Sequence, residues 1–423
     1  MNTTEVDILI IGAGPSGCVA AGYLQQQGAN IKVVEKSKFP RVVVGESLIP
    51  HVMDHFEEAG LLEDLKAQDF EIKSSACFIR GDIISLFDFS KKFGEGWDWT
   101  WQIPRADFDK AMTDSLIKKG VDIAFETAVT DIQFDGTDSI TTIQDKEGNT
   151  AQIKAKFVID CSGYGRVLPR LMGLSKPSQL NPHSAIFSHA VDTKREDDIE
   201  GTQISFDVLD TEVWLWVIPF SNGNTSLGIV ANTEFIEQLS EDGDTTKALK
   251  KAIQLSATYA ERFGDAEFLF EPIHLKNYSS AVTKMYGDGF ALTGNSAEFL
   301  DPVFSSGVCF ATESGILAAK LAWRQINGEQ IDWQKDFADY MQRGIDVFTT
   351  YVKEWYTGNL QTLFFHRPEN LDVKEKVCAV LAGYVWNEEN PFVKKHNRVI
   401  RSIAYMLQNN KELSDNIEQD LGI

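Results

Sequence analysis

The stretch from Val6 to Glu35 leaves this chain little choice of fold. Val6 to Ile11 is a run of β-branched and aliphatic residues, Gly12-Ala13-Gly14-Pro15-Ser16-Gly17 follows at once, a helical pattern runs through Leu24 to Gly28, and Ile31 to Val34 ends on Glu35. Strand, glycine turn, helix and strand make a dinucleotide-binding βαβ unit. Its glycines let the backbone turn tightly and approach a pyrophosphate, and the acid after the second strand accepts ribose hydroxyls. Gly12, Ala13, Gly14, Ser16, Gly17 and Glu35 are therefore candidate cofactor residues, with Lys36 beside them. Phe157-Val158-Ile159-Asp160-Cys161-Ser162-Gly163 reads as another buried strand running into a glycine loop, as expected of an α/β parallel sheet.

A second glycine loop, Gly294 to Gly307, joins the strand Phe290 to Thr293 to a long helix. Pro302 stiffens it, and the N–H groups of Ser306 and Gly307 belong to a helix N-terminus that favours negative charge. Gly294, Asn295, Pro302 and Gly307 are candidates for holding a cofactor there. Arg105 opens the helical stretch after Pro104, where the helix dipole disfavours a cation, so it reads as answering a bound phosphate or ribose. Arg41, Ser47 and Val129 complete the candidate cofactor lining. Ser47 stands in Gly45-Glu46-Ser47-Leu48-Ile49-Pro50, a loop suited either to lining a flavin ring or to capping the helix from His51 to Ala59.

Composition excludes several other classes. Forty basic against 62 acidic residues give 40 − 62 = −22, which opposes nonspecific binding to nucleic acid or to an anionic membrane. The five cysteines form no CxxC pair, and no histidines are read at metal-ligand spacing, so neither a disulfide framework nor a metal site is expected. No export signal or membrane span is read, and a reducing cytoplasm is the expected setting.

The remaining chain interrupts the nucleotide-binding unit. The expected fold is a Rossmann-type dinucleotide-binding domain, which the resemblance given below makes an FAD-binding one, assembled from 1–80, 104–175 and 280–325, a mainly antiparallel substrate sheet from 81–103 and 176–279, and a helical region over 326–423. Phe70 to Phe78 alternates like a strand, with Phe70, Ile72, Ser74, Ala76 and Phe78 on one face and Lys73 on the other. Helices are expected over Lys247 to Phe263, Val308 to Gln325, Asp332 to Leu360 with weak points at Gly344 and Gly358, and Pro391 to Leu407. The cluster Lys394, Lys395, His396, Arg398 and Arg401 reads as a solvated helix face.

These motifs resemble the flavin-dependent halogenases of the phenol and pyrrole type, within the FAD-dependent monooxygenases, over roughly the first 330 residues. GAGPSG, PRADFD at 104–109 and DCSG at 160–163 belong to the wider flavoprotein group. Three segments are narrower: FEIKSSACF at 70–78 is similar to FxxKxGxxF with Ser75 for glycine, WLWVIP at 214–219 to WxWxIP, and FLDPVFSSG at 299–307 to FxxPxxSxG. Trp99 to Pro104 also satisfies WxWxIP, but the copy at 214–219 lies in the substrate sheet and is preferred.

The resemblance implies FAD, used reduced, with chloride or bromide as co-substrate. It implies a C4a-hydroperoxide attacked by halide held at Ser306 and Gly307, hypohalous acid as product, and Lys73 meeting that oxidant as a haloamine or by hydrogen bonding. Trp214 and Trp216 would wall the substrate from the flavin. Phe304 replaces the glutamate of tryptophan halogenases, which implies a self-activated ring, a phenol or pyrrole, free or carrier-tethered. Asn295 replaces the usual aspartate at the ribityl chain and implies weaker FAD binding. With no second dinucleotide fingerprint, reduced flavin is expected from a separate flavin reductase. Alternatives are an FAD hydroxylase or reductase of the same fold, or a flavin-binding protein without turnover.

Overall fold

The computed structural model describes residues 3–196, 199–240, 243–366 and 371–409. The final part of the expected C-terminal region, 410–423, lies outside the described residues. β1 (Thr3–Ile11) is flanked in parallel by β2 (Ile31–Val34) and by Thr150–Asp160, with Ile8 opposite both Ile31 and Phe157. Asp122–Ala124 extends the sheet beyond β2, and Phe290–Leu292 joins in parallel beyond Thr150–Asp160. Ile8, Leu9, Ile10, Phe157, Val158 and Ile159 are fully buried, so no solvated side is left for polar residues to alternate onto. α1 (Pro15–Gln26) returns the chain between β1 and β2. Thr127–Asp135 and Asp138–Asp145 append an antiparallel meander to the edge of Thr150–Asp160.

A seven-stranded sheet packs over this layer, ordered Ile273–Leu275, His183–Val191, Asn224–Asn232, Val213–Pro219, Ser205–Asp210, Ser75–Arg80 and Ile83–Asp88. Ser75–Arg80 runs parallel to Ser205–Asp210, while the other pairs are antiparallel. The stretch 70–78 is thus not one strand with Lys73 on its open side. β3 (Glu71–Lys73) pairs with Thr100–Gln102 in a separate small sheet, and β4 (Ser75–Arg80) enters the large one. Ser74 marks the break and accepts from Phe89 N, which turns the alternation over: Lys73 is 2% exposed and Ile72 is 53% exposed. The crossing into the second sheet occurs at Ser74, ahead of residue 80.

The C-terminal helices close the opposite side. Gly344 is no weak point, since it lies inside the unbroken helix Asp339–Tyr356, where a Cβ would come within 2.5 Å of the Trp386 ring. Gly358, at φ 82°, does end that helix before Asn359–Phe365 begins. The stretch 391–407 breaks at Lys395 into Pro391–Lys394 and His396–Asn409, and 247–263 divides into Thr245–Gln254 and Ala260–Phe263. Among the described residues no helix is long and apolar enough to cross a membrane.

One glycine of the large sheet is dictated by close packing. A Cβ on Gly228 would stand 2.2 Å from Cζ2 of Trp216 on the neighbouring strand. Gly228→Ala should cost about 1–3 kcal/mol by forcing that indole off its seat. Urea denaturation compared with wild type measures the loss, and an unchanged midpoint would show that the ring relocates without strain.

Candidate flavin site

A cavity of about 560 Å³ opens where the carboxyl ends of β1, β2, Thr150–Asp160 and Phe290–Leu292 meet the large sheet. At one end Gly12, at φ 102°, turns the chain out of β1, and a Cβ there would stand 2.5 Å from Cys161 O. α1 begins at Gly14 with no side-chain cap and no acid in its first turn, so its leading N–H groups remain available to an anion. Glu35 accepts from Ala13 N at 3.0 Å and Ser37 N at 2.7 Å, which holds its carboxylate at the end of β2.

At the far end α3 (Ser306–Ile326) repeats this arrangement. Its N-cap, Ser305, has a left-handed backbone at φ 55°, makes no side-chain cap bond, and precedes a first turn without acids. The preceding loop is fixed by Asp301, whose Oδ1 accepts from Val303 N at 3.0 Å. Asp301 Oδ2 accepts from Tyr278 Oη at 2.8 Å and Tyr356 Oη at 3.0 Å, and Tyr356 Oη in turn lies 3.1 Å from Nε1 of Trp214. This buried chain ties the anion loop to a tryptophan of the cavity wall, and no sequence spacing announces it.

Of the residues singled out from sequence, Gly12, Gly14, Ser16, Glu35, Lys36, Arg41, Ser47, Arg105, Val129, Trp214, Trp216, Gly294, Asn295, Pro302 and Gly307 line the cavity. Ala13, Gly17, Lys73, Phe304 and Ser306 do not. Gly17 is packing, for a Cβ there would stand 1.9 Å from Gly12 O. Phe304 faces away, edge-on to Tyr351 and Trp355 with centroids 5.9 and 5.8 Å apart. Ser306 is buried behind Gly307. Arg105 directs Nε and Nη2 onto Asp109, at 2.8 and 2.9 Å, and Nη1 onto Val44 O. That carboxylate one turn later offsets the unfavourable helix position and engages part of the fork within the protein, while Arg105 still lines the cavity. Trp101, of the first WxWxIP copy, packs against Phe56 and Phe70 in the core and is not a lining residue.

Lys73 lies behind the GESLIP loop. Its Nζ donates to Ser47 Oγ and to Leu48 O, both at 2.7 Å, with the Phe89 ring centroid at 5.6 Å. No carboxylate pairs with it among the described residues, and burial alone pulls its pKa from the ordinary 10.5 down to about 7.

The chain matches the model of the FAD binding domain over residues 5–326. It belongs to this FAD-binding family. A flavoprotein/dehydrogenase from Cytophaga hutchinsonii, known as a crystal structure, superposes with a TM-score of 0.93 at 49% identity, covering 96% of this chain and 99% of the other. The flavin-dependent brominase Bmp2 shares the fold, with a TM-score of 0.83 at 24% identity over 96% of this chain and all of that one. In sequence the chain is 26% identical over 384 residues to a 1H-pyrrole-2-carbonyl-[peptidyl-carrier protein] brominase of Pseudoalteromonas luteoviolacea, covering 89% and 91% of the two chains. It is also 26% identical over 416 residues to the corresponding chlorinase of Pseudomonas fluorescens, covering 88% and 89%.

The cavity suits FAD at both ends: two uncapped helix N-termini can meet the pyrophosphate and the electron-rich edge of the ring, and Glu35 stands where the adenosine ribose belongs. Trp214 and Trp216, with Phe206 and Ile218, form the apolar wall opposite.

Sequence reasoning passed over a second cluster. His51 and His55, four residues apart, sit on one helical face beside Glu313 of α3, and the HVMDH spacing was the available signal.

The burial of Lys73 carries a stability signature. Above pH 7 the unfolded chain keeps this proton up to its ordinary pKa of 10.5, while the folded chain has released it from about 7. The unfolded state then binds more protons, so this group's contribution to stability rises with pH across that window. Wild type should gain stability relative to Lys73→Met between pH 7 and about pH 9 in parallel urea titrations, and identical pH slopes would refute the shifted lysine.

Proposed function

We propose that this chain is a flavin-dependent halogenase that installs chlorine or bromine on an electron-rich aromatic ring through Lys73. The observation that carries this reading is the pair of acceptors around Nζ. A neutral amine has two N–H groups, and Ser47 Oγ and Leu48 O satisfy both. The remaining direction is a lone pair. An ammonium would leave one buried N–H without a partner in that shell, and a pKa of about 7 makes the amine abundant at neutral pH.

FAD, when bound and reduced, supplies the activation of dioxygen that oxidises halide to hypohalous acid. The protein's contribution is to position and confine. Gly307, at the uncapped start of α3, offers its N–H to a halide. Trp214 and Trp216 shield the ring substrate from the flavin side. The Lys73 lone pair attacks the halogen of hypohalous acid, the halogen–oxygen bond breaks, and the departing hydroxide takes an amine proton as water. The resulting N-halo lysine passes its halogen to the ring, whose lost proton returns to Nζ.

The pyrrolyl-carrier halogenases among the relatives support a pyrrole, or a phenol of similar reactivity, either free or tethered to a carrier protein. Phe304 in place of a carboxylate supports a ring that needs no base from this loop. A separate reductase would supply the reduced flavin, in a cytoplasmic setting. The Cytophaga hutchinsonii flavoprotein/dehydrogenase favours a second reading, an FAD oxidoreductase that uses no halide.

With a flavin reductase, bromide or chloride and a panel of pyrroles and phenols, halogenated product should appear by mass spectrometry. Lys73→Ala should lower its rate by about 100-fold or more while FAD binding persists. The wild-type rate should climb with pH and level off above about 7, following the amine. A rate that falls through the same range would assign the ammonium instead, and oxidised product formed equally well without halide would select the dehydrogenase reading. Purified chain given NAD(P)H and FAD without a reductase should consume the nicotinamide no faster than buffer with FAD; rapid consumption would remove the need for a second component.

A further inference from the structure

We propose that His51, His55 and Glu313 form a binding site for a divalent metal ion of the zinc class. His51 precedes α2 (Val52–Glu58) in helical conformation, so its ring stands one turn before that of His55, on the face turned toward α3. Glu313 projects from α3 between them. His55 Nε2 lies 2.7 Å from Glu313 Oε2, and His51 Nε2 lies 3.9 Å from the same oxygen. The three ligand atoms fall within 4.8 Å of one another. Ligand atoms about 2.1 Å from a tetrahedral ion stand roughly 3.4 Å apart, so the present spacings bracket what one ion would impose.

The outer contacts select these atoms as ligands. Thr312 Oγ1 donates its proton to Val308 O or Cys309 O, at 3.0 and 3.1 Å, and therefore accepts from His55 Nδ1 at 2.7 Å. A neutral His55 so held carries its proton on Nδ1 and turns the lone pair of Nε2 to the carboxylate, so that a small outward shift of either group lets one metal ion join the two. Tyr340 Oη donates to Glu313 Oε1 at 3.0 Å and leaves Oε2 facing the imidazoles. His51 turns Nδ1 toward Cys309 Sγ, at 3.8 Å, and Nε2 toward the cluster. Asp54 Oδ2 stands 3.9 Å from His51 Nε2, with Oδ1 held by Trp97 Nε1 at 2.9 Å. Two imidazoles and a carboxylate, each oriented from behind, match the nitrogen and oxygen donor set that zinc takes. The side chains of His51 and Glu313 are 16% and 13% exposed, so an ion can enter from solvent.

The site would clamp two functional elements together. α2 continues from the loop whose Ser47 and Leu48 hold Lys73, and α3 begins at the anion-binding turn.

Untagged full-length protein, stripped with EDTA, is titrated with Zn2+ by calorimetry and with Co2+ by visible absorption. The expected result is one saturable equivalent, an intense cobalt band of tetrahedral type, and a thermal unfolding midpoint that rises with Zn2+. His51→Gln and Glu313→Gln, confirmed as folded by retained FAD binding, should weaken Zn2+ by more than about 10-fold and remove the cobalt band. Absence of a stoichiometric site, or wild-type Zn2+ affinity in folded His51→Gln, would overturn the assignment.

Discussion

The site depends on the way three parallel strands are stitched together at their carboxyl ends. The carbonyl of Asp160 accepts from Thr293 N at 3.0 Å, from Thr293 Oγ1 at 3.1 Å and from Ser296 Oγ at 2.6 Å, and Ser16 Oγ of α1 reaches Thr293 Oγ1 at 2.8 Å. A parallel sheet leaves these strand ends without partners of their own, and here short hydroxyl side chains bind them to one another instead of to water. Both helices that present uncapped N-termini are anchored at this node. Gly315 allows α3 to lie against α1 so closely that a Cβ would meet Ser16 O at 2.5 Å. The two uncapped helix N-termini are thereby held at a fixed separation across the cavity.

The second sheet is built around that fixed frame, and its packing explains the placement of Lys73. Breaking the chain at Ser74 brings Lys73 inward into an apolar setting where Phe89 and the backbone of the GESLIP loop surround it. A buried cation without a counter-ion is costly, and the protein lowers that cost by letting the group lose its proton. The same arrangement that weakens the fold at neutral pH leaves the nitrogen a ready amine. A titratable group held at such a local cost to stability is the pattern that the proposed role of Lys73 rests on.

Aromatic packing sets the wall of the cavity. Phe78, Phe206, Trp214 and Trp355 form a continuous cluster, with Phe78 stacked on Phe206 at 4.7 Å, and Phe304 packs into it from the anion loop. The Asp301, Tyr278, Tyr356 and Trp214 chain then couples the wall of the cavity to the loop beneath it. A displacement of the loop would be felt at Trp214 through hydrogen bonds whose loss would leave buried polar atoms unpaired.

Much of this was legible in the sequence because it is local. The βαβ unit follows from glycine spacing, hydrophobic runs and one acid at a set distance, and each of those reports a backbone or a nearest-neighbour requirement. The loop from Gly294 to Gly307 was recognisable for the same reason, whereas the tryptophan pair came only from the resemblance of WLWVIP to WxWxIP. The fate of Lys73 was not recognisable, since simple alternation placed it on the open side and only distant segments, the strand Thr100–Gln102 with Ser47, Leu48 and Phe89, bury that face. Nor could local pattern reveal that Arg105 is engaged by Asp109, that Gly344 makes room for Trp386, or that Glu313 meets two histidines more than 250 residues earlier in the chain. The sequence by itself determined the parallel nucleotide-binding frame, because strand period and turn chemistry act over a few residues. Which side chains are desolvated, paired or left to react was decided by tertiary structure alone, because burial and charge pairing depend on what distant segments bring alongside.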